Sequence, residues 1–578
     1  MCALFGFFAD IERPDSTLER MSSVLLHRGP DYQGKYFNGK VGLGHNRLSV
    51  IDLSPAGHQP MVLEEDGLVL VFNGEIFNYK ELRRELSGES FFSETDSEIL
   101  LRAFKVWGKE CLHRLDGMFA FAIFDRNKRE LFLARDRFGI KPLYYSRQSN
   151  GFYFASEPKG LFAAGITRSN NIKAWSTYLA FGTYEHAEDT FFKDVFQLRA
   201  GSCATVSAGG EVVFDNYYDF ASIVASSFDV KIQDEKRISD EYLCALSNAV
   251  SKCFQSDVPV GVSISGGVDS SILMAMVRES GQDLAQVKAF TYTCGDERYD
   301  ETPWVREIMM QQPHPWYISK TNCEAIPDLI IQTALNQEEP FGGFNTICLS
   351  ELCKLAKREN VTVLLDGNGM DEQWGGYEYY SKPNWTREEY VRGPVQASSS
   401  CPVRPGCLAP ELRKEAETPD FPRPFKSMLD NLRYRDLIYT KIPRALRFSD
   451  RASMMHSREL RVPFLDHRLV EYSFKVAPSH LIFKGQHKHL LRSMAKPFIP
   501  ESVLKASKRP LHTPQREWLA NELSGFVDDL ILSKKFRELG WFDLKAVDKE
   551  WMNFKNSEVD NSFFVWQWVS AAIMASEI

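Results

Sequence analysis

Residues Val258 to Val277 read VPVGVSISGGVDSSILMAMV: an apolar run, a glycine turn dense in hydroxyls, and a second apolar run with helical character. Buried strand, turn and helix in that order gather unpaired backbone N–H groups at a helix N-terminus, where the dipole favours an anion. The loop Ser265 to Ser271 is therefore suited to pyrophosphate. It lacks the Lys of the G-x-x-x-x-G-K-[ST] phosphate loop and sets Asp269 among its hydroxyls, so a metal ion is the expected source of positive charge. A plain capped turn would explain Gly266 or Ser270 singly, but not Ser265, Gly266, Gly267, Asp269, Ser270 and Ser271 together.

Outward from this loop, apolar segments Val258 to Ile264, Val287 to Thr293, His314 to Ile318 and Val361 to Leu365 alternate with helical stretches, the pattern of a doubly wound parallel sheet. Ligands of such a sheet belong at the carboxyl ends of its strands, where both SGGVDSS and the segment Asp366 to Glu372 (DGNGMDE) fall. Ser381 to Pro424 is rich in Pro, Ser and charge and reads as an irregular excursion; the remainder is predominantly helical.

Before the sheet, Met1 to about Asn216 shows short strands and two helices. Val41 to Ile51 and Leu68 to Phe72 are strand-like, Tyr79 to Leu86 and Asp96 to Trp107 have helical spacing, and Phe119 to Asp125 with Glu130 to Ala134 reads as a hairpin. This predicts an α+β sandwich with helices on its outer faces. Gly209-Gly210 and the polar stretch Ser226 to Glu235 are expected to mark the boundary. The expected division is residues 1–216, a linker at 217–235, and residues 236–578.

The chain has 578 residues, enough for two or more cores, with a formal net charge of -8 and a pI near 5.9. No basic face for nucleic acid is implied. No run reaches the roughly 18 to 20 apolar residues of a membrane span, and Phe563 to Ala575 reads as a packed helix. Met1 to Phe8 has no basic leader and turns acidic at Asp10, which argues against a secretory signal. Eleven Cys without C-x-x-C pairs fit reduced thiols and a cytoplasmic setting; Cys401 and Cys407 are read as structural or incidental.

If Met1 is removed, Cys2 carries nucleophile and base on one residue, since a terminal amine of pKa about 7.7 to 8.0 can take the thiol proton. A second-position Cys alone means little. Here it is accompanied by His27 to Asp31 (HRGPD), Arg47 in HNRLS, Asn73-Gly74-Glu75, and Asp96 in TDSE. Asn73-Gly74 by itself could turn a hairpin, and HRGPD could be a simple turn.

With SGGVDSS, Asp371-Glu372 followed by Gly375-Gly376-Tyr377, and RVPFLD at Arg461 to Asp466, these segments resemble the glutamine-hydrolysing asparagine synthetase family over most of the chain. That family joins a class II glutamine amidotransferase, an αββα N-terminal-nucleophile sandwich, to an ATP-pyrophosphatase-type synthetase domain with a helical C-terminal part. The resemblance implies that Cys2 attacks the glutamine amide, Asn73 and Gly74 hold the oxyanion, Arg47 clamps the α-carboxylate, and Asp96 with Glu75 takes the α-amino group. It further implies that Ser265, Gly266, Gly267, Asp269, Ser270, Ser271 and Gly367 grip ATP, with Asp269 and Asp371 near Mg²⁺ and Lys508 facing the phosphates. A carboxylate would become an acyl-adenylate and ammonia would displace AMP, with RVPFLD acting in packing. The oligomeric state is left open, a homodimer being one arrangement the sequence allows.

The chain departs from the family where Ser-Gly-Glu or Ser-Gly-Asp commonly precedes Asp-Glu; here Asp366-Gly367-Asn368 stands. An amide cannot accept the proton of attacking ammonia, so Asp366 or Glu372 takes over or the acceptor differs. Gln373 and Trp374 replace the usual small apolar pair, and Gly342-Gly343 is expected to widen an acceptor pocket. L-Aspartate is the default acceptor by resemblance; a hexuronate on a nucleotide sugar or lipid-linked glycan is the alternative. A sensor of glutamine or ATP with a degenerate synthetase site is the reading from another class.

Overall fold

The computed structural model describes residues 2–225, 231–392, 402–506, 513–557 and 561–575. Two six-stranded sheets form the first half. One has the order β10-β8-β9-β1-β3-β2, from β1 (Ala3–Ala9), β2 (Tyr32–Asn38), β3 (Val41–Arg47), β8 (Tyr144–Gln148), β9 (Gly151–Ala155) and β10 (Phe196–Gln197). The other has the order β12-β11-β7-β6-β5-β4, from β4 (Met61–Leu63), β5 (Leu68–Ile76), β6 (Gly117–Asp125), β7 (Glu130–Arg135), β11 (Ser202–Val206) and β12 (Val212–Asn216).

The period of two explains the layering. In β5, Val69 and Val71 turn inward to meet Leu4, Val41 and Leu43 of the facing sheet. Leu68, Leu70 and Phe72 turn outward onto Ile99, Leu100 and Ala103 of helix Asp96–Trp107. On the opposite outer face, Phe5 and Phe7 pack on Leu18 and Met21 of helix Pro14–Val24. The result is the expected αββα sandwich.

The second half is a five-stranded sheet ordered β15-β14-β13-β16-β17, parallel at every pairing: β13 (Val260–Ser263), β14 (Lys288–Thr293), β15 (Trp316–Lys320), β16 (Val363–Leu365) and β17 (Glu459–Arg461). The chain runs outward from β13 to β15, then returns to the other side of β13 for β16. That reversal opens a crevice between the carboxyl ends of β13 and β16. No helix among the described residues is long and apolar enough to cross a membrane.

Several expectations need correction. Gly209-Gly210 is no boundary: it sits in the turn joining β11 to β12, with Gly210 N–H donating to Ser207 O. The strand expected over Leu68 to Phe72 runs on to Ile76, pairing Asn73 with Ala120 and Gly74 with Phe119, so the alternative of a hairpin turn at Asn73-Gly74 falls away. The strand beginning at Val41 stops at Arg47 rather than Ile51. Gln373 and Trp374, which replace the family's small apolar pair, are buried: Gln373 Nε2 donates to Phe464 O (2.5 Å), and Trp374 meets Tyr242 edge-on at 4.8 Å. The fifth strand was not expected, since three residues are too few for a periodic signal.

The largest core crosses between the halves. Trp175 and Tyr178 of helix Ile172–Phe181 pack with Phe341, Phe344 and Trp518 and with Trp566 and Trp568 of helix Phe563–Met574. Trp566 is 1% exposed and its Nε1 donates to Phe341 O (2.7 Å). Trp566→Ala should therefore lower unfolding free energy by about 3–5 kcal/mol, read by denaturant titration.

Candidate functional site

Cys2 opens β1, nearly buried, where its N–H donates to Asn73 Oδ1 (2.9 Å) and its Sγ lies 3.8 Å from Leu48 O. Burial pushes the thiol pKa up. The β5–β6 ladder sets Asn73 opposite Ala120, and Asn73 Nδ2 is buried with no hydrogen-bond partner among the described residues. An orphaned buried amide donor is costly unless something arrives to accept from it. Next to it, Gly74 has φ +151°, and a Cβ there would lie 2.1 Å from Met118 O, so only glycine fits.

Arg47 ends β3 with its guanidinium held by carbonyls, Nη1 donating to Ser54 O (2.9 Å) and Nη2 to Ile51 O (3.3 Å) and Asp52 O. Gly57 makes room, since a Cβ there would meet Arg47 Nη2 at 2.0 Å. Asp96 starts its helix and accepts from Ile76 N–H (2.9 Å). Burial, aided by the charge of Glu459, raises its pKa to about 6. Burial and the same Glu459 push Glu75 well above the carboxylate range, although Arg461 Nη2 lies 3.4 Å from Glu75 Oε1. Two buried carboxylates short of positive charge form a receptive site for an ammonium group.

The residues of RVPFLD and HRGPD do more than pack or turn. Arg461 in β17 pairs with Glu459 (2.6 Å) and reaches across to Glu75. Arg28, fully buried, pairs with Glu157 (2.7 Å) and Asp450 (2.7 Å), and its Nε donates to Cys2 O (3.1 Å). Arg451 continues the chain of charges to Glu157 (2.7 Å) and Glu338 (3.3 Å).

At the other site, β13 feeds the SGGVDSS loop into helix Val268–Glu279. Ser265, Gly266, Gly267 and Asp269 line a cavity of about 150 Å³ with Asp371, Gly376, Lys488 and Arg492. Ser270 and Ser271 brace the loop: Ser270 Oγ donates to Ser265 O (2.9 Å) and Ser271 Oγ to Gly267 O (2.7 Å). A Cβ on Gly367 would lie 3.8 Å from Ser270 N, tying the DGNG turn to the same loop.

Lys488 was missed by sequence reasoning, since nothing in GQHKHLLR marks it. Its Nζ lies 2.6 Å from both Asp269 oxygens and 2.6 Å from Asp371 Oδ1. Burial works against the ammonium charge, but the two carboxylates outweigh it and raise its pKa. Gly376 permits this approach, as a Cβ there would fall 1.8 Å from Asp371 Oδ1 and 2.4 Å from Lys488 Cε. Two carboxylates converging on one point beside a phosphate-sized cavity fit Mg²⁺, which is commonly held by one or two carboxylates plus substrate phosphates. Lys508 and Cys401 lie outside the described residues.

A second cavity, about 370 Å³, opens at the crevice between β13 and β16 and is lined by Ser263, Tyr292, Gly342, Asp366, Asn368 and Lys441, among others. Gly342 does face it, but a Cβ there would meet Phe448 at 3.0 Å, so this glycine permits close packing rather than widening the space. Gly343 has φ +81° and would clash with Gln515 Oε1 at 2.0 Å.

Fold and sites together define the class, a glutamine amidotransferase domain joined to a synthetase domain on a doubly wound sheet. Residues 1–218 match the family described as glutamine amidotransferase domain, and residues 241–576 match asparagine synthase. The chain belongs to the glutamine-hydrolysing asparagine synthetase family. It is 30% identical to asparagine synthetase [glutamine-hydrolyzing] 1 of Bacillus subtilis (strain 168), over 92% of this chain and 90% of that protein. It is 34% identical to the putative asparagine synthetase [glutamine-hydrolyzing] 2 of Methanocaldococcus jannaschii, over 65% of this chain and 75% of that one. A third relative, Amidase chry2 of Gibberella zeae, is 27% identical over 93% of this chain and 91% of its own length.

The raised Asp96 carboxyl has a consequence for stability. The folded state binds its proton more tightly than the unfolded chain, so stability tied to that proton is present below about pH 4 and lost as pH rises to about 6. Asp96→Asn should accordingly stabilise the protein at pH 7 by about 1–3 kcal/mol, with the gain vanishing near pH 4 in paired thermal melts.

Proposed function

We propose that the chain is a glutamine-dependent, ATP-consuming ligase that converts a carboxylate to an amide. The observation that carries this reading is the orphaned Asn73 Nδ2 beside Cys2 in the same molecule as the Asp269, Asp371 and Lys488 cavity. In this reading residues 1–216 perform the glutamine chemistry, residues 236–578 the ATP chemistry, and 217–235 join them.

The Cys2 thiolate attacks the side-chain amide carbon of glutamine, with the α-amine freed by removal of Met1 taking the thiol proton. Asn73 Nδ2 and the Gly74 N–H receive the developing oxyanion, a contribution on the order of 3 kcal/mol per donor. Arg47 takes the α-carboxylate, and Asp96 with Glu75 takes the α-ammonium, whose charge offsets the burial that raises both pKa values. Ammonia leaves as the thioester forms, and water then releases glutamate.

At the second site, the acceptor carboxylate attacks the α-phosphorus of ATP and pyrophosphate departs. The helix N-terminus that Gly266 and Gly267 open receives the phosphates, while the Ser265 and Gly267 N–H groups hold the loop by donating to Ser270 Oγ (3.1 Å) and Ser265 Oγ (3.3 Å), with Ser271 bracing the turn and Gly367 close behind. Asp269 and Asp371 would hold Mg²⁺, which supplies charge neutralisation for the phosphate oxygens. Lys488 moves from its carboxylate partners to the phosphates, and Lys508 is assigned the same task by resemblance. Ammonia then displaces AMP from the acyl-adenylate.

L-Aspartate is the first acceptor to test. Two features favour widening the panel to hexuronates: Asn368 in place of a carboxylate, and a cavity of about 370 Å³ walled by Tyr184, Tyr292, Phe448 and Phe563. Incubation with glutamine, Mg-ATP and each carboxylate should yield pyrophosphate and amide. If no acceptor gives pyrophosphate, the ligase reading fails and glutamine or ATP sensing replaces it. Cys2→Ala should abolish glutamine-driven synthesis while ammonium-driven synthesis continues. Asn73→Ala should lower glutaminase kcat by about 10²- to 10³-fold.

A further inference from the structure

Resting on that reading, we propose that Asp366 is the base that takes the proton from ammonia as it attacks the activated carboxylate, so that the carboxylate of this site stands two residues ahead of Asn368. The reaction demands such a group. A C–N bond forms at the acyl carbon, the C–O bond to the adenylate breaks with its electron pair leaving on AMP, and the nitrogen must shed one proton to become a neutral amide.

Among the described residues lining the cavity between β13 and β16, Asp366 is the sole carboxylic acid. It follows directly on β16, and its backbone N–H donates to Arg461 O (2.9 Å), so its position is set by the sheet and not by a free loop. One carboxylate oxygen, Oδ1, accepts from the Asn368 N–H (3.1 Å). That bond fixes the rotamer and leaves Oδ2 without a hydrogen bond or ion pair among the described residues. Asn368 lines the same cavity and offers an amide that can orient a reacting group without removing its proton.

Glu372 is the competing carboxylate, and its surroundings exclude it. It is 1% exposed, does not line the cavity, and its Oε1 accepts from Tyr377 OH (2.7 Å). Burial also raises the Asp366 carboxyl pKa, with the Asn368 N–H opposing the rise, so the group binds a proton more tightly than an exposed aspartate. Arg444 supplies positive charge to the same cavity, as an anionic acceptor requires, while burial lowers the Lys441 pKa to about 7. The strand whose Arg461 carbonyl holds Asp366 also carries the guanidinium that meets Glu75, so the base stands on the side of the synthetase sheet that faces the source of ammonia.

The test uses the full chain with ammonium chloride, Mg-ATP and two probes in parallel, L-aspartate and D-glucuronate. Asp366→Asn should lower amide formation by about 10²- to 10⁴-fold, while acceptor-dependent exchange of labelled pyrophosphate into ATP falls no more than about threefold. Its rate should also lose the acid limb of the wild-type pH profile. The double variant Asp366→Ser, Asn368→Glu, which moves the carboxylate by two residues, should restore part of the rate. Retained glutaminase activity reports folding; should Asp366→Asn not fold, Asp366→Glu must show a displaced acid limb. Unchanged amide formation in Asp366→Asn, or equal loss of exchange and amide formation, overturns the assignment. Absence of exchange in the wild type with either probe instead overturns the ligase reading with those acceptors, which separates the two failures.

Discussion

Buried charge holds the two halves together. Arg28, Glu157 and Glu75 belong to the sandwich, and Asp450, Arg451, Glu459 and Arg461 to the region of the parallel sheet; Arg28, Glu157, Arg451, Glu459 and Arg461 are fully withdrawn from water. Taking an ion out of water costs several kcal/mol, recovered only when partners are placed closely. All but Glu459, which pairs with Arg461 on its own side, find an ion-pair partner across the seam, so separating the halves would strand several buried ions at once. The arrangement is thus self-enforcing, and its weak point is any single partner, whose removal leaves an uncompensated charge.

The same network positions chemistry. Arg28 grips the Cys2 carbonyl, and the Cys2 N–H meets Asn73, so the residue proposed as the nucleophile is fixed at both backbone ends by groups far away in sequence. On the other side, β17 joins Glu459 and Arg461 to Asp366 through the Arg461 carbonyl. A three-residue strand at a sheet edge thereby ties the electrostatics of one site to the geometry of the other.

Legibility in the sequence followed the length scale of each signal. The strand, glycine turn and helix around SGGVDSS are local and were readable, as were helix Asp96–Trp107, capped by Thr95 accepting from the Glu98 N–H, and the β6–β7 hairpin. Asn73 and Gly74 were legible as residues but not as strand, because an Asn-Gly pair signals a turn unless a neighbouring strand claims it. Lys488, Arg461 and Glu459 were invisible as site groups. Lys488 meets Asp269 219 residues away, Arg461 meets Glu75 far earlier in the chain, and Glu459 acts through its charge on Glu75 and Asp96, none of which a periodicity or motif encodes.

Helix Phe563–Met574 is buried along its whole length, and Gln567 Nε2 donates to Tyr178 O, a partner 389 positions earlier. During synthesis, Trp175 and Tyr178 can pack on Phe191 and Tyr184 of their own half, but the side of them that faces this helix lacks its partner until the ribosome has delivered it. Contacts of such long loop closure form late and leave sticky intermediates in the meantime. A nascent chain that stalls short of residue 563 lacks the wall this helix supplies to the largest core and keeps an open apolar face on its sandwich half, the kind of surface on which incomplete chains aggregate.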